Sequence, residues 1–504
     1  MSFSLETILF LGGTILIYYL LHRRMRPYVL LTASILFLWR LSLRALVIVL
    51  VTGIVVWLLG RAIEGLTGDA SGERETGNAG AVQAASDARA ARGLMIAGVA
   101  LIVCALLVFK YVPVFFAQSS AAVADGEEAV VSPFVRMFLL PVGFSYYSFQ
   151  SIGYLIDVYQ GRIRAERNPF FFLLYLMYFP KFISGPIERP KDLLTQIRDL
   201  PSVRLLKEER LSLAASDLLY GYFMKSVVAD RLALCTGPVF ASCGWHSSAG
   251  LLLNLFFYVM QLYCDFAGYS AIAVGTSRIF GITLVNNFRA PYLSLGITEF
   301  WRRWHRSLSS WLRDYLYIPL GGNRRGTARK CLNTMIVFFV CGIWHGSSLT
   351  FVIWGLLQGI FSVIETLLRK KDKAVSFFWQ IAGRVLTFAG IFCSWFFFGI
   401  HTLSDVPKYI QRMWTARDPG FTFEAEMIEI GMGMTELKLA LLFLVPVVVF
   451  DILIYRADTS FAEAIARWPY VFRYLLFYVL IVVILVFGIY GAGYDAAGFM
   501  YMDF

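Results

Sequence analysis

The sequence predicts an all-α, polytopic membrane protein, and three observations carry that prediction. Hydrophobic residues make up 58% of the 504-residue chain and charged residues only 16%, against roughly a quarter in soluble domains. The apolar residues gather into runs of the length a helix needs to cross a bilayer, about 20 residues. Lys and Arg collect in particular segments between those runs, as cytoplasmic loops do. The net charge of +11 follows from these basic loops and gives no reason to invoke nucleic acid.

Taken in order, residues 3–21 form the first run. No basic residue precedes it, and Arg23, Arg24 and Arg26 follow it. This is the reverse of a secretory signal, so the run reads as a retained span with its N-terminus outside. Residues 28–60 are too many for one crossing and carry Arg40 and Arg44 at mid-run, which suggests a helical hairpin or a re-entrant pair. Further runs lie near 93–116, 134–158, 169–187, 211–229, 249–280, 331–344, 349–368, 376–401, 436–456 and 470–493. The total is about 11–13 membrane segments, some of which need not cross fully. Residues 66–92 mix Gly, Ala, Ser, Glu and Arg and read as a flexible loop. Residues 118–131 hold acids but no Lys or Arg and read as an exterior loop. Basic segments at 161–167 and 188–210 place cytoplasm on both sides of 169–187. That run should therefore be re-entrant or lie in plane, and its Pro180, Gly185 and Pro186 agree, because broken backbone at membrane depth needs protein or a cavity around it. The chain reads as one transmembrane domain, residues 1–504, with a motif-bearing core at 140–346. Its seven cysteines show no C-x-x-C spacing and read as small core hydrophobes, with neither a disulfide framework nor a metal centre.

Residues 300–326 are the most informative stretch. Between Trp301 and Arg313 lie four Arg, one His and three Trp. On a continuous helix Trp301, Trp304, His305, Leu308, Trp311, Leu312 and Tyr315 share one stripe, and Arg302, Arg303, Arg306 and Arg313 face the other way. This pattern suits a helix lying in a membrane interface. It turns His305, the stripe's one group that titrates near neutral pH, inward. His345, in Cys341-Gly-Ile-Trp-His-Gly-Ser-Ser348, ends an apolar run with glycine nearby on both sides, where other backbone can approach. Ionisable residues at membrane depth are functional candidates. The alternative is a core histidine bonded to a carbonyl for His345, and an aromatic belt residue for His305. His22, His246 and His401 read as interface or loop residues. Asp265, Asn286, Asn287 and Asn323 add polar groups to the same third of the chain. Arg302, Arg303, Arg324 and Arg325 suit phosphate, whether of a lipid or of a nucleotide-like thioester carrier. No G-x-S-x-G, P-loop or dinucleotide fingerprint occurs, so an enzyme reading relies on histidine as a base.

At these residues the chain resembles the membrane-bound O-acyltransferases, and within them the bacterial alginate O-acetyltransferase branch. The matching pieces are Leu140–Gln150 with Asp157-Val-Tyr159, Phe179–Ile187, Gly221–Asp230, Tyr263–Ser270, Thr298–Gly322, Trp344-His-Gly346 and Phe499–Phe504. The related teichoic-acid D-alanyl branch tends to lack the Gly-Gly-Asn-Arg turn present here. The resemblance implies a ring of helices around a polar tunnel, with His345 catalytic and His305 the second family histidine. Asp265, Trp301, Arg302, Arg303, Trp304, Asn323, Arg324 and Trp344 are the accompanying candidates for binding donor or substrate. It further implies no bound cofactor and an acyl thioester co-substrate such as acetyl-CoA. Membrane lipids, a polysaccharide acceptor and an extracytoplasmic SGNH-type acyltransferase are the implied partners, at the bacterial inner membrane. D-alanyl transfer to teichoic acid, or export of a polar lipid or sugar without catalysis, are the alternatives.

Overall fold

Apolar runs become helices wherever proline and glycine permit. The computed structural model describes residues 5–68, 78–121, 138–204, 207–241, 247–368, 376–400, 402–415 and 433–490, and among these every regular element is helical. The chain, one domain by its sequence, packs as two compact units: residues 9–205 with 280–284, and residues 1–8, 206–279 and 285–504.

In the first of these units, α1 (Leu5–Leu20) is followed by α2 (Arg26–Leu41) and α3 (Leu43–Gly68). The long run at 28–60 thus divides, as its arginines suggest, and Ser42 takes extended backbone at the break. Next comes α4 (Asn78–Ala121), which corrects the loop expected at 66–92. Residues 78–92 are helical, because seven alanines in that stretch favour helix and Gln83 bonds Asp87 one turn on. Residues 122–137, most of the expected exterior loop, lie outside the described residues, as do His246, His401 and 491–504. After α5 (Phe144–Tyr159), the run at 169–187 forms only a nine-residue helix, α6 (Pro169–Met177). At about 1.5 Å per residue it is far too short to span about 30 Å of hydrocarbon. Turns at 178–185 follow it with Tyr178, Phe179 and Lys181 buried, so the broken backbone is wrapped in protein as expected. Lys181 donates to Gln150 Oε1 at 2.8 Å. α7 (Pro190–Asp199) ends the stretch.

The second unit holds α8 (Glu208–Tyr222), a π-helical turn at Phe223–Ala229, α9 (Asp230–Ala241) and α10 (Ser248–Ile279). Two short helices, α11 (Ile297–Arg303) and α12 (Arg306–Leu312), lead to α13 (Gly326–His345). Then come α14 (Leu349–Leu368), α15 (Phe377–Gly399), α16 (Asp405–Thr415), α17 (Met434–Ala457), α18 (Phe461–Ala466) and α19 (Tyr470–Phe487). By length and composition, seven of the described helices can cross a membrane: α3, α4, α10, α14, α15, α17 and α19. The remaining apolar runs are broken or shorter. Only α10 is sheathed along most of its length, and the others leave broad apolar faces exposed, as lipid-facing helices do.

Candidate active site

The stretch around His305 departs from the single helix its pattern suggests. α11 stops at Arg303, Trp304 is extended, and His305 takes left-handed backbone (φ 41°, ψ 53°) before α12 begins. A side chain in that region is strained, and the neighbouring segment 286–289 clamps it there. Arg306 N donates to the Asn287 carbonyl at 3.0 Å, and Ser307 N donates to Asn287 Oδ1 at 3.1 Å. Arg289 N donates to the Arg303 carbonyl at 3.0 Å, and Arg306 reaches the Asn286 carbonyl at 3.1 Å. Asn286 and Asn287, read only as nearby polar groups, are thus the clamp. The inward placement of His305 holds: it is 0% exposed, with the Phe266 ring edge-on at 4.7 Å. Burial pushes its imidazolium down to about 3, so at working pH the ring is a neutral donor and acceptor.

His345 is the last residue of α13 and only 3% exposed. Trp354 of α14 stands edge-on to it at 4.9 Å and Phe398 of α15 at 5.3 Å. Trp344 lies 4.8 Å from the His345 ring and 6.2 Å from the His305 ring, so one indole touches both imidazoles. Glycine permits this closeness. A Cβ on Gly342 would meet the Phe351 carbonyl at 2.6 Å, and one on Gly346 would meet the Phe351 ring at 2.1 Å. Around the histidines the indoles form a chain: Trp304 to Trp395 at 5.1 Å, Trp395 stacked on Trp354 at 5.4 Å, and Trp354 to Trp301 at 5.9 Å. Such pairs add about 0.5–1.5 kcal/mol each beyond burial, which gives the histidines a rigid, dry surround.

The other candidates divide. Trp301, Trp304 and Trp344 join the two histidines in this cluster. Asp265, a candidate for binding donor or substrate, has Lys225 Nζ at 2.7 Å, and the same ammonium reaches Asp230 at 2.7 Å. Burial opposes the Lys225 charge, but the two carboxylates more than offset it and hold the ammonium above its ordinary range. Asp265 thereby ties α10 to the π-turn, and the next residue, Phe266, carries the ring against His305. Arg303 turns back to protein: Glu299 at 2.8 Å, the Arg289 carbonyl at 3.2 Å and the Tyr455 ring at 4.3 Å. Arg302, Asn323 and Arg324 are exposed. The Gly-Gly-Asn-Arg-Arg-Gly turn bends through left-handed Gly321, Gly322 and Gly326, and buried Asn333 donates to the Gly322 carbonyl at 2.9 Å. Sequence reasoning missed Trp354, Gln358, Ser394, Trp395 and Phe398. Gln358, a polar residue inside an apolar helix, was the available signal.

The class the fold defines is a multi-pass helical membrane protein, and within it two buried imidazoles share one indole. The chain belongs to the membrane-bound O-acyltransferase (MBOAT) family, which residues 162–404 match. It is 36% identical over 423 residues to a probable alginate O-acetylase of Pseudomonas syringae pv. tomato, covering 83% of this chain and 76% of that one. It is 34% identical over 305 residues to a peptidoglycan O-acetyltransferase of Helicobacter pylori, with 55% and 57% covered. It is also 28% identical over 289 residues to a teichoic acid D-alanyltransferase of Bacillus subtilis, with 53% and 69% covered. The protein is a multi-pass membrane O-acyltransferase.

Proposed function

We propose that the protein moves an acetyl group from a cytoplasmic thioester, acetyl-CoA, toward hydroxyls of a cell-surface polysaccharide, with His345 as general base. The observation that carries this is the His345 ring, buried at a helix end among Trp344, Trp354 and Phe398. The imidazole takes the proton of the attacking hydroxyl while its oxygen bonds the thioester carbonyl carbon. The carbon–sulfur bond then breaks, and the departing thiolate takes up the proton. A base with an ordinary value near the working pH suits this transfer. The aromatic surround keeps water from hydrolysing the thioester. Neutral His305 orients or polarises the acyl group, with Trp344 between the two rings. Exposed Arg302, Asn323 and Arg324 offer donors to the phosphates of a thioester carrier.

The acetyl assignment follows the greater similarity to relatives named for O-acetylation than to the D-alanyl one. The setting we propose is a bacterial inner membrane, with an extracytoplasmic SGNH-type acyltransferase completing transfer onto the polymer. The test is base-labile acetate on surface polysaccharide from cells carrying wild type or His345→Ala at matched membrane levels. Acetate lost in the variant supports the reading. Loss of ester-linked D-alanine in its place moves the protein to the teichoic-acid branch, and no change in any ester removes His345 from the role of base.

A further inference from the structure

Gln358 is 0% exposed in the middle of α14, a helix able to cross the membrane. A primary amide there is costly to bury unless its hydrogen bonds are made, so its partners are informative. Its Oε1 accepts from Trp301 Nε1 at 3.1 Å, and its Nε2 donates to Ser394 Oγ at 2.6 Å. Ser394 Oγ in turn donates to the Ile391 carbonyl at 2.7 Å. One side chain therefore joins three helices, α11, α14 and α15. Each of the three residues lies beside or one turn from an indole of the histidine surround. Trp354 is one turn before Gln358 and edge-on to His345, Trp395 follows Ser394 and stacks on Trp354, and Trp301 touches Trp354.

We propose that Gln358 is a positioning residue: its amide sets the mutual register of α11, α14 and α15, and thereby the placing of Trp354 and Trp395 around His345. The inference rests on the reading of His345 as the base, and it adds a residue that touches neither imidazole. A purely apolar contact between these helices would let them slide and roll, since lipid and protein interiors are equally apolar. Two directed bonds from one amide remove that freedom. They matter for rate because reacting groups misplaced by about 1 Å can cost on the order of 10²-fold.

The test uses full-length enzyme in detergent or vesicles, with acetyl-CoA as donor and a soluble hydroxyl acceptor. Gln358→Leu is compared with Gln358→Glu, whose buried, protonated carboxyl still accepts from Trp301 through its carbonyl oxygen and donates its O–H to Ser394 Oγ. We expect kcat to fall tenfold to about a hundredfold in Gln358→Leu, with KM for acetyl-CoA changed less than threefold, and Gln358→Glu to recover most of the loss. Trp301→Phe made in the Gln358→Leu background should then cost less than it does in wild type, because the bond it removes is already absent. Wild-type kcat in a well-folded Gln358→Leu, or a loss that Gln358→Glu does not recover, overturns the proposal. His345→Ala is run alongside: activity there sinks the base assignment, whereas an inactive His345→Ala beside a fully active Gln358→Leu sinks positioning alone.

Discussion

The two buried histidines are reached by different backbone devices. His345 closes a twenty-residue helix, where the carbonyl end of the dipole stabilises a positive charge. His305 stands in a left-handed bend just ahead of a seven-residue helix, where the amide end disfavours one. The rings sit around the same indole, Trp344, yet their settings differ: one ends a helix, and the other is held in strained left-handed backbone where burial keeps the ring neutral. In the proposed mechanism the two therefore do different work: His345 takes the proton and neutral His305 orients the acyl group.

The largest expected effect tests the first half of that contrast. His345→Ala should lower acyl transfer by about 10²–10⁴-fold, or roughly 3–5 kcal/mol of barrier, while the protein still inserts in the membrane. Transfer within threefold of wild type would remove the contrast altogether. The next effect concerns how His345 is held. A Cβ at Gly355 would meet the Phe338 carbonyl at 2.4 Å and Gly342 Cα at 3.1 Å, so α13 and α14 cross through small residues. Gly355→Leu should cost about 1–3 kcal/mol by overpacking and take activity down with it. A thermal midpoint equal to that of wild type would mean the helices can separate without harm.

The other half of the contrast is tested by the bend. Position 305 needs left-handed backbone, which asparagine tolerates and valine does not. His305→Val should therefore lose about 1–2 kcal/mol more stability than His305→Asn, read as the difference in thermal midpoint. Equal midpoints would show that the Asn286–Arg289 clamp does not hold the bend as tightly as its four hydrogen bonds imply.

Much of this was legible in the chain. Composition and run lengths establish a helical membrane protein, Arg40 and Arg44 mark the break at Ser42, and two prolines mark the buried turns after α6. His305 faces inward for the reason its stripe suggests, namely that large apolar rings share its side. The stripe nonetheless misleads about the backbone, because periodicity reports which side chains are buried and not the φ of one residue. The clamp from Asn286 and Asn287 is non-local and leaves no periodic trace. Asp265 shows the same limit: an acid in an apolar run signals a polar environment, but only packing reveals that Lys225 supplies it. The Gln358 latch was hidden by the same non-locality, since its partners lie 57 and 36 residues away.

The last test follows the His305 ring through pH. His305 has an ordinary value of 6.5 and is lowered to about 3 by burial. Between those values the unfolded chain binds a proton at this residue that the folded chain refuses. The proton count then makes folding less favourable as pH falls through this window and restores full stability above about 6.5. Apparent thermal midpoints of wild type and His305→Asn should therefore diverge in slope between pH 6.5 and 4. The variant should lose less stability on acidification, because its side chain has no proton to refuse. The same slope in both would mean that the ring takes a proton inside the fold, by local opening or by gaining an acceptor. His305 could not then be the neutral partner of the proposed base.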